Sequence, residues 1–173
     1  VPLTGVEATA LIAALDEELT NRYPEPGATH FRLEPGEVGP GRGTFVVARR
    51  GSDSVGCGAL RALVDPALVA GLGPGVGELK RMYVVPHARG TGVARALLAR
   101  LEADARALGL TRLVLETGTR QLEAIGLYRS AGFSDIPAYG EYTASPATSV
   151  CLGKALSVAS AASTPSGRST HAE

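Results

Sequence analysis

The six residues Arg89, Gly90, Thr91, Gly92, Val93 and Ala94 join a strand-like run, ELKRMYVV from Glu78 to Val85, to a long apolar-periodic stretch that starts at Val93. A helix opens with backbone N–H groups that have no partner inside it and with the positive end of its dipole. Phosphate suits such an end. Gly90 and Gly92 remove the Cβ atoms that would hold a pyrophosphate off the main chain, so the N–H groups of Arg89 through Ala94 can converge on it, with Arg89 and Arg95 supplying charge. From Lys80 to Arg112 seven basic residues stand against two acidic ones, a local excess of five positive charges that suits a polyanionic ligand. The plainer alternative is a tight strand-to-helix turn with solvated arginines. The pattern is not GxGxxG, because Ala94 and Arg95 fall where the third glycine belongs, and it lacks the Lys-Ser/Thr pair of a P-loop, which disfavours nucleoside triphosphate chemistry.

The elements around this turn follow from periodicity. Val93, Ala94, Leu97, Leu98, Leu101, Ala105 and Leu108 form one helical stripe, closed by Gly109. Before it, Val6, Ala10, Leu11, Ile12, Leu15 and Leu19 predict an amphipathic helix ending ahead of Tyr23 and Pro24. A Gly/Pro-rich loop follows, then a hairpin of Thr44–Arg50 and Val55–Leu63 around GSDS. After the long helix come a buried-type strand, Thr111–Thr117, and a helix from about Arg120 to Ala131. The sheet is predicted to resume loosely through FSDIPAYGEY and to end in SVCLGKAL. This order predicts an α/β fold with one mixed sheet and helices on its faces.

The whole chain narrows the function classes. Its 173 residues suit one domain, read as residues 1–156, and the Ala/Ser/Thr-rich residues 157–173 are expected to be a disordered tail. Lys plus Arg and Asp plus Glu both total 17, so no global field recruits nucleic acid or an anionic membrane. Cys57 and Cys151 belong to no CxxC or Cys/His ligand pattern, and no metal is expected. With neither a signal peptide nor an apolar run of spanning length, the expected compartment is the cytoplasm. His30 and His87 read as surface-loop residues, and Cys57 reads as packed, with no base beside it for acyl-enzyme chemistry.

RGTGVA, the preceding ELKRMYVVP and the later ETGTRQLEAIGLYRSAGF together resemble the GNAT superfamily of N-acetyltransferases. The resemblance covers about Phe45 to Leu156 and is strongest from Glu78 to Phe133. It implies a mixed, mostly antiparallel sheet in which two parallel strands, Glu78–Val85 and Thr111–Thr117, splay apart to admit acetyl-CoA as co-substrate. The backbone of Met82, Tyr83 and Val84 would then hold the pantetheine arm, Arg89 to Ala94 the pyrophosphate, and the Val84 N–H the oxyanion. Tyr128 matches the tyrosine that serves as general acid in the superfamily; its alternative is a core position shared with Gln121, Ala124 and Ile125. Glu78 resembles a strand glutamate that serves relatives as base, with Glu116 second; either could instead be an ordinary carboxylate paired with Lys80, Arg81 or Arg112. Gln121 stands where many relatives carry Asn, and is expected near the cofactor. The implied activity is direct acetyl transfer to the primary amine of a small molecule or amino acid, with a homodimer as a further expectation. The alternatives are a protein-directed acetyltransferase or an acyl-CoA sensor that keeps the fold without turnover. The acceptor would be set by the first helix, the loop from Pro24 to Gly43, and IPAYGEYTASP, where Tyr139 and Tyr142 could line a small pocket.

Overall fold

A computed structural model describes residues 1–26 and 32–157. His30 and the tail from Val158 onward lie outside the described residues. Helix α1 (Val6–Arg22) buries Ala8, Leu11 and Leu15 and ends where the Tyr23 N–H closes on the Leu19 carbonyl, one residue ahead of Pro24. Strands β1 (Gly43–Arg50) and β2 (Asp53–Ala62) form the expected hairpin. A short helix α2 (Pro66–Val69), capped by Asp65, was not legible in the sequence and precedes β3 (Val76–Val84). Then follow α3 (Val93–Ala107), β4 (Arg112–Gly118), α4 (Leu122–Ser130), β5 (Ser134–Asp135) and β6 (Ser149–Ala155).

The six strands lie in the order β1-β2-β3-β4-β6-β5, with β3 and β4 the parallel pair and every other pairing antiparallel. Leu60, Leu79, Leu113, Leu115 and Leu152 pack with Leu98 and Leu101 of α3 and Tyr128 of α4. A second cluster sets Ala8, Leu11 and Leu15 of α1 against Phe45, Cys57, Ala59 and Tyr83. Helices thus cover both faces of the sheet, as its alternating apolar residues require.

The parallel pairing is short. It runs from Val76↔Arg112 to Leu79↔Leu115 and stops, although β3 continues to Val84 and β4 to Gly118. Beyond Leu79, β3 follows β2, and β4 stays paired with β6 along its whole length, so the sheet opens between them. A β-bulge sits at the divergence: Cys57 faces Tyr83 and Ala59 faces Lys80, leaving Gly58 opposite both Arg81 and Met82. Arg81 takes a left-handed backbone (φ 56°), which a non-glycine residue adopts only when its surroundings hold it there. A Cβ at Gly58 would fall 2.6 Å from Met82 Sδ, so the Met82 side chain would have to shift to admit one.

One expectation is corrected. Of FSDIPAYGEY, only Ser134–Asp135 joins the sheet, and Gly140–Ala144 forms a 3-10 turn. Tyr139 and Tyr142 are buried, and their hydroxyls both donate to Glu78 of β3.

Candidate active site

The glycine turn meets the conformational requirement read from the sequence. Gly90 and Gly92 have φ of 73° and 89°, Gly92 is the N-cap of α3, and no side chain caps that end. A Cβ at either glycine would meet no protein atom within 4 Å, so the space above the turn is open to a ligand. Two parts of the expectation change. The Arg89 N–H is already spent on the Pro86 carbonyl, so the converging donors start at Gly90. The positive excess is also largely committed: Lys80, Arg81, Arg89, Arg100 and Arg106 each pair with a carboxylate. Of the seven basic residues, Arg95 is the one that lines the cleft without an ion pair among the described residues, its guanidinium touching Ser130 Oγ at 3.3 Å.

From this turn a cleft of about 490 Å³ runs along the open edge of β3, past Met82, Tyr83 and Val84, to Gln121 and Tyr128 of the facing element. The Val85 N–H bonds to Val55 on β2, so strand alternation turns the peptide groups of Val84 toward the opening. The Val84 carbonyl there accepts Arg89 Nε at 2.9 Å, and the same guanidinium reaches Glu18 at 2.6 Å. Helix α1 therefore forms one wall of the cleft. Its end is fastened to the turn before α4, where the Tyr23 hydroxyl accepts the Arg120 N–H at 2.7 Å and lies where a Cβ on Gly118 would be.

A side pocket of about 90 Å³ opens from the cleft into the gap between the splayed strands, and both spaces share Met82, Gln121 and Tyr128. Tyr128 is buried, its ring set edge-on to Phe133. Its hydroxyl makes no hydrogen bond to another described residue, and burial raises its pKa well above the ordinary tyrosine range. It is protonated at every working pH. Glu116 lines the side pocket. Burial, opposed by a hydrogen bond from Ser149 and by the charge of Lys80, raises its carboxyl to about 7.

Glu78 occupies a different place. It is fully buried and lines neither space; Arg61 grips one oxygen at 2.6 Å, and Tyr139 and Tyr142 both donate to the other at 2.8 Å. Arg61 also holds Glu37, and the Tyr142 hydroxyl accepts Lys80 Nζ at 3.1 Å. Tyr142 lines the side pocket, whereas Tyr139 does not. Arg61 and Glu18 were missed in the sequence. Arg61 had a signal, since a charge within a strand as apolar as VGCGALRAL demands a buried partner. Glu18 had none. His87 is exposed beside the turn and lines neither space, and burial pushes the Cys57 thiol up to about 12, too high for a nucleophile.

A sheet opened at a parallel pair, with a bare helix start at the head of the opening, makes a cleft with a place for a phosphate-bearing ligand. The sequence model described as the acetyltransferase (GNAT) family matches residues 8–133, and this chain belongs to that family. It is 40% identical over 136 residues to an IAA acetyltransferase of Azospirillum brasilense, covering 79% of this chain and 82% of that one. A solved acyl-CoA N-acyltransferase structure from Klebsiella pneumoniae superposes with a TM-score of 0.70 at 34% identity, over 90% of this chain and 94% of that one. An acetyl-CoA complex of a GNAT acetyltransferase from Elizabethkingia anophelis shares the fold at 18% identity and a TM-score of 0.53, over 66% and 77% of the two chains. The protein is thus an acyltransferase whose co-substrate is acetyl-CoA. No helix among the described residues is long and apolar enough to cross a membrane.

Proposed function

We propose that the chain moves an acetyl group directly from acetyl-CoA to the primary amine of a small molecule or amino acid, with both substrates bound together. The observation that carries this reading is the junction of cleft and side pocket at Tyr128 and Met82, which gives each substrate its own space and one shared meeting point. When bound, acetyl-CoA supplies a thioester carbonyl carbon open to attack.

The chain's own residues do the rest. Gly90 to Ala94, with Arg95, hold the diphosphate through main-chain N–H groups and charge, and the edge of Met82, Tyr83 and Val84 receives the arm as an added strand would be received. Gln121 sits at the junction and can hold either substrate or a water. The Val84 N–H faces the opening, placed to donate to the carbonyl oxygen. Glu116 takes the proton that the amine sheds, and its carboxyl near 7 suits that exchange at neutral pH. As the C–N bond forms and the C–S bond breaks, Tyr128 gives its proton to the leaving sulfur. Glu78 reaches the pocket only through the Tyr142 hydroxyl, so we assign it to positioning Arg61, Tyr139 and Tyr142 rather than to contact with substrate.

Release of free CoA thiol from acetyl-CoA in the presence of an amine panel tests the reading. Amine-dependent release with a matching acetylated product supports it. A folded protein that binds acetyl-CoA and releases no thiol with any amine is a sensor, and the reading fails.

A further inference from the structure

The parallel pairing of β3 and β4 ends at Leu79↔Leu115, so Lys80 and Glu116 are the next residue on each strand, one at either side of the opening. In-register neighbours share a face of the sheet, and both residues line the side pocket. Arg81 is the third charged residue of that lining. The pocket wall therefore carries two cations and one carboxylate. With its carboxyl raised to about 7, Glu116 is only part-ionised at neutral pH.

Lys80 and Arg81 have partners, but those partners are not on the pocket wall. Lys80 Nζ is 3.2 Å from Glu141, and Arg81 is held by Asp16. Neither acid lines the pocket, and each keeps a 32% exposed side chain, where water and salt screen its charge. Lys80 itself is buried. Its ammonium has three N–H donors, and among the described residues two are used, on Glu141 and on the Tyr142 hydroxyl at 3.1 Å. The third is left for an oxygen brought into the pocket. Glu116 forms no ion pair among the described residues, with Lys80 or with any other cation. A cation and a carboxylate that share one wall without pairing with each other complement a ligand that carries both charges. An amine that comes to Glu116 to lose its proton brings a carboxylate on the same molecule toward the Lys80 side.

We infer that the acceptor carries a carboxylate close to its amino group, as an amino acid does, and that Lys80 is the residue that reads it. The inference rests on the acetyl-transfer reading and narrows it: of the small molecules and amino acids allowed above, those bearing both groups are preferred.

Glycine, alanine, β-alanine and 2-aminobutyrate, each set against its own amide, isolate the charge. Acid and amide share one shape, and the amide has the less basic amine, so a preference for the acid does not come from easier loss of the amine proton. Steady-state kcat/KM for the best-accepted pair is expected to favour the acid by about tenfold or more, the worth of a hydrogen bond between charged groups. In Lys80→Met the acid-to-amide ratio is expected to fall about tenfold, a change that a merely structural role, lowering both rates alike, does not make. In Glu141→Gln, which removes the carboxylate that competes for Lys80, the ratio is expected to rise about threefold. The inference is overturned, with acetyl transfer intact, if the amides match their acids in the unaltered protein, if only amines without a carboxylate are acetylated, or if the ratio survives Lys80→Met. Should that variant fail to fold, a ratio that Glu141→Gln leaves unmoved overturns it equally. A folded protein that binds acetyl-CoA and releases no thiol with any amine overturns the acetyl-transfer reading and this inference with it.

Discussion

Arg89 donates its Nε–H to the Val84 carbonyl at 2.9 Å, so the first residue of the glycine turn occupies the strand edge that the pantetheine arm is proposed to use. The guanidinium also binds Glu18 of α1 at 2.6 Å and lies over the Tyr83 ring. Cofactor and Glu18 then draw on the same cation, and binding must exchange one anion for another.

That exchange is measurable. Both partners of the Arg89–Glu18 pair are partly exposed, and such pairs contribute about 0.2–1 kcal/mol. Glu18→Gln is therefore expected to tighten acetyl-CoA binding by roughly 1.5- to 5-fold in calorimetry, with the gain fading at high salt. Arg89→Ala is expected to weaken binding. A weaker complex with Glu18→Gln would show that Glu18 supports the cofactor instead of competing for Arg89.

The glycines of the turn give a second test. Gly90 and Gly92 hold left-handed φ values in open space, so an alanine there costs roughly 1–2 kcal/mol of backbone strain and clashes with no protein atom. Each Gly→Ala variant is expected to melt only a few degrees lower while acetyl-CoA binding falls well beyond what that loss explains, because the added Cβ enters the ligand's space. Equal losses in melting temperature and affinity would leave the turn with no role beyond its own geometry.

Much of this was open to reading from the sequence, and the residues show why the rest was not. Helical and strand periods are local, so α1, the hairpin, α3 and β4 followed from the spacing of Leu11 and Leu15, Leu97 and Leu101, and their neighbours. The glycine turn was legible for the same reason, its chemistry lying in adjacent residues. The opening of the sheet depends on the Arg81 bulge and on where β4 leaves β3, relationships between strands that no single segment carries. The roles of Glu78 and Glu116 turn on burial by distant parts of the chain: Tyr139 and Tyr142, more than sixty positions on, enclose the first carboxylate.

Glu116 links pH to both stability and rate. Its carboxyl is raised by burial from the usual range to about 7, so the folded state binds more protons than the unfolded state between about pH 4.5 and 7. Stability from this group is fully present below that window and is lost as pH rises through it, by up to about 3 kcal/mol. Glu116→Gln is expected to flatten this dependence in denaturant melts. With a saturating amine, the rate of the unaltered protein should rise with an inflection near 7 that disappears in the variant. An inflection that survives Glu116→Gln would assign the proton to another group.

Breaking the buried network should be costly for a different reason. Arg61 and Glu78 are both almost fully buried, and removing Glu78 leaves Arg61 to Glu37 at 2.6 Å and Glu141 at 3.9 Å, so the loss should fall below the about 3–5 kcal/mol of a fully stranded buried charge. Glu78→Gln is expected to lower the denaturation midpoint. If the loss comes from the under-compensated guanidinium, Arg61→Met placed on Glu78→Gln should recover part of it. A Glu78→Gln variant of full stability whose turnover alone collapses would return Glu78 to direct proton transfer.

Tyr128 separates structure from chemistry most cleanly. Its ring packs edge-on against Phe133, and phenylalanine keeps that contact, while its hydroxyl has no protein partner among the described residues to lose. Tyr128→Phe should therefore fold and melt as before, since the hydroxyl faces the pockets and no protein hydrogen bond is lost. Acetyl-CoA affinity should also stand, because the glycine turn and the β3 edge are untouched. What the variant lacks is the proton for the departing sulfur, and turnover is expected to fall about 10²- to 10⁴-fold. An acceptor series distinguishes this from misplacement of the substrates: the fall should be alike for every amine, since the missing proton serves the thiol they all release. A loss that differs from one amine to the next would make Tyr128 a wall of the acceptor pocket and not its acid.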